Sequence, residues 1–137
     1  MASYKISEIE GIGPQFAAKL QKAGVRSVND LLKKGAAAKG RKAIAAVSGI
    51  DQKMILKWVN MADLFRIRGI GQEYSELLEK AGVDTVKELR NRNADHLHAK
   101  MAEVNSAGRA LVRQLPGKKS VESWVAQAKK MDPKVTY

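Results

Sequence analysis

A stretch of 17 residues occurs twice in this chain at one fixed separation, and this repeat constrains the fold more than any other feature. The first copy, residues 9–25, reads IEGIGPQFAAKLQKAGV, and 58 residues later the second copy reads IRGIGQEYSELLEKAGV. A repeat at a fixed offset indicates that one supersecondary unit has been used twice. We therefore expect two tandem units, at residues 1–64 and 65–132, followed by a frayed tail at residues 133–137.

The spacing of apolar residues within each unit predicts helices. In the first copy, Phe16, Leu20 and Ala23 recur at helical spacing, Pro14 suits the first helical position, and Gly24 suits the end of the helix. No segment shows the alternation of a strand, and residues 33–42 read as a loop. We therefore expect an all-α fold. Because no linker separates the two units, we also expect them to pack against each other. The predicted helices cover residues 14–23, 28–32, 41–47, 52–62, 72–81, 85–91, 94–104, 107–113 and 120–131.

The charge of the chain predicts a polyanionic partner. Lys and Arg number 25 against 14 Asp and Glu, which gives a formal net charge of +11. A basic balance of this size points to nucleic acid; a solvated surface with an alkaline bias is the alternative. The N-terminal residues lack an apolar signal core, and no stretch approaches the roughly 20 apolar residues that span a bilayer. We expect a cytoplasmic protein with no membrane partner.

The sequence shows no pattern of catalytic or metal-binding residues. There is no cysteine, hence no disulfide framework and no thiolate ligand. The acids are scattered, and His96 and His98 would lie on different faces of a helix without a third ligand nearby. We expect no enzyme, no catalytic residue, no metal and no cofactor. Trp58 and Trp124 match at an offset of 66, and core packing is favoured over stacking on bases.

The pattern Ile9-x-Gly11-Ile12-Gly13-Pro14-x-x-Ala17-x-x-Leu20 resembles the helix-hairpin-helix (HhH) motif of DNA repair and recombination proteins. In that family a Gly-hydrophobic-Gly hairpin joins two helices. Paired motifs form a compact (HhH)₂ domain that binds duplex DNA through its backbone without reading sequence. The resemblance implies two tandem (HhH)₂-like units here. The whole chain also resembles an uncharacterised bacterial family that carries tandem units of this kind.

The resemblance is uneven along the chain. In the second copy Ser75 stands where the motif usually has alanine. The turn at residues 48–51 keeps a single glycine and places Asp51 where the second glycine belongs, and the turn near residues 115–118 is more degenerate. The missing glycine puts phosphate binding at residues 48–51 in doubt, whereas Lys118 and Lys119 keep the other turn basic. The turn around Ile12 keeps the full pattern, in which glycines permit positive φ and close approach of an anion to helix amides.

The charges around the two copies differ in sign. Between Gly11 and Lys42 eight cations face one acid, whereas between Gly69 and Glu88 five acids face two cations. The first copy is therefore the stronger DNA-binding candidate, although a tight packing turn remains the alternative for each. The candidate nucleic-acid-binding residues are Gly11, Ile12, Gly13, Gln15, Lys19, Lys22, Lys33, Lys34, Lys39, Arg41, Lys42, Arg66, Arg68, Gly69 and Gly71.

These observations predict a protein that binds DNA through the phosphate backbone without sequence preference, as a nucleoid or DNA-maintenance accessory factor. The alternative is a protein-interaction or scaffold module that has lost DNA binding and takes a protein partner through the acidic second unit. Salt-dependent duplex binding would separate the two functions.

Overall fold

The computed structural model describes residues 5–9, 11–108 and 110–137, and this part of the chain is built from helices. A 3₁₀ turn at Ile6–Glu8 precedes the first α-helix, and no β-strand occurs among the described residues. The prediction of an all-α fold is confirmed. The α-helices are α1 (Pro14–Lys22), α2 (Val28–Gly35), α3 (Ala38–Ser48), α4 (Gln52–Leu64), α5 (Gln72–Lys80), α6 (Val86–Leu89), α7 (Ala94–Ser106) and α8 (Lys118–Lys129).

The helices form two compact units, each with a core of its own. One unit comprises the residues up to Asp63 together with Lys134–Tyr137, and the other comprises Leu64–Pro133. In the first unit α3 packs against α1 and α2, while in the second α8 packs against α6 and α7 and α5 packs against α7. Among the described helices, none has the length and apolar character of a bilayer-spanning segment. Buried side chains that form the two cores include Leu20, Leu31, Ile55 and Val59 in the first unit and Leu77, Leu78, Met101 and Val121 in the second.

A hydroxyl side chain caps the start of the second helix in each unit, at equivalent positions of the repeat. The Ser27 hydroxyl accepts the backbone N–H of Asp30 at 3.1 Å, and the Thr85 hydroxyl accepts that of Glu88 at 3.3 Å. A side-chain oxygen at this position satisfies one of the amides that the first helical turn leaves without a partner. The repeat therefore preserves the chemistry of this helix start as well as its position.

A cation closes the first helix of each unit in the same way. Gly24 and Gly82, which follow the first helix of each unit, take positive φ, at 81° and 93°. Lys34 Nζ donates to the Gly24 carbonyl at 2.8 Å, and Arg92 Nη2 donates to the Gly82 carbonyl at 2.9 Å. A positive group at a helix C-terminus also stabilises the negative end of the helix dipole.

The cation-rich segment 33–42, predicted as a loop that runs into a helix near Arg41, is helical except at residues 36–37, so the loop prediction is wrong for most of it. Helix α2 continues to Gly35 and α3 already begins at Ala38. The glycines in this segment allow close packing. A Cβ on Gly35 would lie 2.6 Å from Val59 Cγ2, and a Cβ on Gly40 would collide with the Lys34 carbonyl oxygen. A composition rich in glycine and lysine is typical of a loop, yet this segment forms parts of two helices whose backbones lie in contact.

The described residues of the helix predicted at 107–113, namely 107–108 and 110–113, are not helical, because the Asn105 side chain holds Leu111 and Val112 in an irregular conformation. Asn105 Oδ1 accepts the backbone N–H groups of Leu111 at 2.8 Å and Val112 at 3.1 Å, and its amide donates to the Val112 carbonyl at 3.2 Å. An asparagine side chain imitates the backbone in this way and competes with helix formation.

The final residues also differ from the predicted frayed tail. Val135 is buried, and the backbone N–H of Thr136 donates to the Ala36 carbonyl at 2.8 Å. The chain end thereby lies on the first unit, at the connection between α2 and α3.

Candidate nucleic-acid interface

The two glycines of the first turn have different structural tasks. Gly11 has a φ of 92°, and a Cβ placed there would lie 3.4 Å from Trp58 Nε1. Ile12 is 4% exposed, so its side chain belongs to the core. Gly13 is extended, with φ −86°, and a Cβ there would meet no atom within 4 Å. Gly11 therefore shapes the turn, while Gly13 lies at an open surface.

The first turn of α1 presents backbone N–H groups that no side chain caps. Gly13 is the N-cap and supplies no side-chain oxygen, and the first turn contains no acid. Pro14 has no N–H, and no acceptor faces the amides of Gln15 and Phe16 within the part of the chain that the structure describes. These amides lie at the positive end of the helix dipole. Such a helix start suits an anion, above all a phosphate oxygen.

The turn of the second unit repeats this backbone but surrounds it with different chemistry. Gly69 has a φ of 100°, Ile70 is buried, and a Cβ on Gly71 would again meet no atom within 4 Å. Glu73, however, lies exposed in the first turn of α5. A carboxylate in this place stabilises the helix dipole and repels a phosphate. The backbone of the turn is thus duplicated, whereas the charge in the first turn of the helix that follows it is not.

The turn between α3 and α4 already contains a carboxylate at the helix start. Asp51 Oδ1 accepts the backbone N–H of Lys53 at 2.8 Å, and the Ser48 hydroxyl accepts that of Ile50 at 3.2 Å. The Asp51 side chain therefore occupies the position that a phosphate would take. This geometry agrees with the doubt that the missing second glycine raised for this turn.

Most of the cations predicted for the first unit are exposed, together with Gln15. Lys19 Nζ lies 5.7 Å from the centre of the Phe16 ring, and Lys22 is the last residue of α1. Lys34 is also exposed, but its ammonium group binds the Gly24 carbonyl. The exposed cations without such a backbone bond in the described structure are Lys19, Lys22, Lys33, Lys39 and Lys42.

The glycine turn and Lys34 lie at opposite ends of α1. The glycine turn lies at the N-terminus of α1, and Lys34 reaches Gly24 just beyond its C-terminus. The nine residues of α1 span about 13 Å at 1.5 Å per residue. The turn and Lys34 therefore mark two separate places on the same unit.

Arg41 is not available at this surface. Its side chain is buried, and its guanidinium donates to the carbonyls of Gly35 at 2.8 Å, Ala36 at 2.9 Å and Thr136 at 2.6 Å. Burial lowers the pKa of Arg41, and an electrostatic contribution from Tyr137 partly opposes that shift. An arginine remains protonated at neutral pH all the same. Arg41, predicted from the sequence as a phosphate ligand, therefore binds backbone carbonyls within its own unit.

The two arginines before the second turn contribute unequally to its surface. Arg66 Nη2 donates to the Asp132 carbonyl at 2.8 Å. Arg68 is exposed, while its backbone is fixed by Gln127, whose side chain accepts the Arg68 N–H at 2.9 Å and donates to the Arg68 carbonyl at 3.1 Å. Arg68 is therefore the better-placed cation of this pair.

The tryptophans and histidines take structural positions. Trp58 and Trp124 are 2% and 3% exposed. Each packs beneath a glycine turn beside another aromatic ring, Phe16 at 5.2 Å and Tyr74 at 5.4 Å between centroids. His98 Nε2 lies 3.0 Å from the Pro116 carbonyl oxygen. No group of three potential metal ligands occurs among the residues described.

Sequence reasoning missed the capping function of Lys34, although a signal for it exists. Lys34 and Arg92 are equivalent positions at the 58-residue offset, and each lies ten residues after a positive-φ glycine. A cation retained at equivalent positions of a basic and an acidic repeat indicates a structural task common to both. Lys34 therefore differs from the neighbouring lysines.

A family model described as "Domain of unknown function (DUF4332)" matches residues 10–131 of this chain. The match covers most of the sequence, and the chain belongs to this family. No solved structure matches the chain.

Proposed function

We propose that this member of the DUF4332 family binds duplex DNA through its phosphate backbone, with the first glycine turn as the principal contact. The observation that carries the proposal is the start of α1. It combines an open glycine, amides of Gln15 and Phe16 without a protein acceptor among the described residues, and no acid in the first turn. A phosphate oxygen placed there would complete the hydrogen bonding of the helix and interact favourably with its dipole.

The exposed lysines extend this contact along the strand. Lys19 and Lys22 follow the turn on α1, and Lys33, Lys39 and Lys42 are exposed on α2 and α3, which pack together and, through α3, against α1. Phosphates of one DNA strand are about 3.4 Å apart along the axis. The length of α1, about 13 Å, exceeds the axial rise between successive phosphates, so the turn and Lys22 would contact different phosphates. One unit could then bind several phosphates of a single strand.

Contacts of this type predict binding that is insensitive to base sequence. Amides and lysines at the phosphate backbone fix orientation and carry no base information. The buried rings of Trp58 and Trp124 are not placed to stack on bases. Together with the net charge of +11, this supports a helix-hairpin-helix protein that serves as a nucleoid or DNA-maintenance accessory factor and not as an enzyme.

Fluorescence anisotropy with two duplexes of unrelated sequence tests the proposal directly. If three to five of the exposed lysines bind phosphates, the log–log slope of affinity against salt should lie between about −2.7 and −4.5. Both duplexes should give the same affinity within about threefold, since the contacts read no bases. Absence of binding at low salt and micromolar protein, or strong dependence on sequence, would contradict the proposal.

A second candidate function arises from the acidic second unit. Glu73, Asp84 and Glu88 are exposed there, and Glu73 stands where a phosphate would have to approach. This surface suits a basic protein partner through electrostatic complementarity. If the protein serves only as such a scaffold, the duplex titration will show no binding at any ionic strength.

A further inference from the structure

The lysine-rich segment contains one arginine whose contacts differ from those of every exposed cation around it. Arg41 is 5% exposed, and its guanidinium binds three carbonyls, two at the end of α2 and one near residue 136. These are the carbonyls of Gly35, Ala36 and Thr136. Only the planar fork of an arginine presents several donors in this arrangement.

Arg41 lies in the first turn of α3 and fixes the start of this helix to the end of α2. The N-cap residue of α3, Ala37, has no side chain able to accept a hydrogen bond. Lys39 in the first turn, followed by Lys42, places positive charge near the positive end of the helix dipole, which is unfavourable. The guanidinium of Arg41 only donates, so it does not cap the α3 amides; it binds the carbonyls of Gly35 and Ala36 at the end of α2 and thereby holds the two helices together.

The chain end supplies the other half of this arrangement. The backbone N–H of Thr136 donates to the Ala36 carbonyl at 2.8 Å, while its carbonyl accepts from Arg41 at 2.6 Å. Val135, beside it, is buried. Arg41 and the backbone of residues 135–136 thus form a clasp across the connection between α2 and α3.

We infer that Arg41 is a positioning residue for nucleic-acid binding, which holds Lys39 and Lys42 in place through this clasp without contacting phosphate itself. The inference rests on the proposed function and deepens it. Without the clasp the start of α3 opens more often, and DNA binds only the fraction of molecules in which it is closed. Apparent affinity falls in proportion to that fraction.

Charge-preserving and charge-removing variants separate positioning from direct contact. Arg41→Lys keeps the positive charge but loses the fork, whereas Arg41→Ala loses both. If Arg41 is a positioning residue, both variants lose about threefold to tenfold in DNA affinity, and the slope of log affinity against log salt stays unchanged. A direct phosphate ligand predicts that Arg41→Lys binds like the wild type and that Arg41→Ala lowers the slope by about 0.9.

Thr136→Pro tests the other half of the clasp without altering any charge. It removes the N–H that donates to Ala36 and should lower affinity over the same range. Leu78→Ala is the control, because it destabilises the core of the other unit, where Leu78 is fully buried. It should leave the DNA affinity of the folded protein unchanged. Equal losses in Leu78→Ala and Thr136→Pro would overturn the inference.

Hydrogen exchange of the free protein makes the inference testable independently of DNA. The first hydrogen-bonded amides of α3, beginning with that of residue 41, should exchange faster in Arg41→Lys and Thr136→Pro, while those of α8 stay unchanged. Unaltered exchange at α3 in both variants would refute the clasp, whether or not the wild type binds DNA. A second outcome separates the clasp from the proposed function. If the clasp variants show the faster exchange but the wild type does not bind DNA, the proposed function and the positioning role are refuted, while the clasp itself is supported.

Discussion

Replacing Gly11 with alanine should destabilise the protein far more than the same change at Gly13, although the two glycines lie two residues apart. Gly11 has a φ of 92°, which an alanine adopts only with strain. Backbone strain of this kind costs about 1–3 kcal/mol. The added Cβ would lie 3.4 Å from Trp58 Nε1, a contact that the neighbour can accommodate with little movement. The cost of Gly11→Ala is therefore the strain alone.

Gly13→Ala should be almost neutral. Its backbone is extended, and the new Cβ would meet no atom within 4 Å. Alanine is a somewhat poorer N-cap than glycine, but it also removes about 0.4–1 kcal/mol of unfolded-state freedom. These effects oppose each other, and we expect a change in unfolding free energy within about 0.5 kcal/mol.

The equivalent glycine of the second unit, Gly69, should be still more costly to replace than Gly11. Gly69 has a φ of 100°, and a Cβ there would lie only 2.9 Å from Trp124 Nε1, so a buried ring must shift. Such overpacking adds about 1–3 kcal/mol to the strain. The expected order of destabilisation is Gly69→Ala, then Gly11→Ala, then Gly13→Ala.

Urea unfolding followed by tryptophan fluorescence measures this order, because Trp58 and Trp124 report on different units. The midpoints should shift while the slopes against urea stay constant. A Gly13→Ala variant that loses as much stability as Gly11→Ala would refute the separation of tasks within the turn. Equal costs for Gly11→Ala and Gly69→Ala would refute the argument from the Trp124 contact.

Two further substitutions test individual contacts. Asn105→Ala should cost about 0.5–1.5 kcal/mol, because partly buried backbone groups of Leu111 and Val112 lose their partner, and hydrogen exchange at Val112 should accelerate; unchanged exchange there would contradict the assigned bonds. Lys34→Met should cost about 0.3–1 kcal/mol through loss of the cap on the Gly24 carbonyl, yet leave the salt slope of DNA binding unchanged, whereas a slope lowered by about 0.9 would make Lys34 a phosphate ligand.

The repeat and the helical spacing were enough to predict an all-α fold, because local periodicity determines which segments are helical. The segment around Gly40 was harder to predict. A glycine that permits two helix backbones to touch has the same identity as a glycine in a loop, and only the partner at Lys34 distinguishes them. The helix expected at residues 107–113 does not form in the described part of that range for a related reason. The Asn105 side chain accepts the backbone N–H groups of Leu111 and Val112, and this bonding competes with a helix.

The candidate site shows the same boundary between local and distant information. Charge counting treats all cations alike, so it placed Arg41 and Lys34 among the phosphate ligands. Arg41 is set apart by a bond to Thr136, 95 residues away, and no local pattern announces that contact. The glycine turns, by contrast, are local, and their positive-φ and extended conformations follow from the Gly-Ile-Gly pattern itself.

The central claim is that the turn is duplicated while its affinity for phosphate is not, and a matched pair of variants tests it most directly. Gly13→Glu and Gly71→Glu place the same carboxylate at equivalent helix starts, where both glycines are extended and have open space for a side chain. Measured on one duplex at low ionic strength, Gly13→Glu should weaken binding by about tenfold or more, since it places a negative charge beside the phosphate. Gly71→Glu should bind like the wild type. Equal losses in both variants, or none in either, would contradict the account.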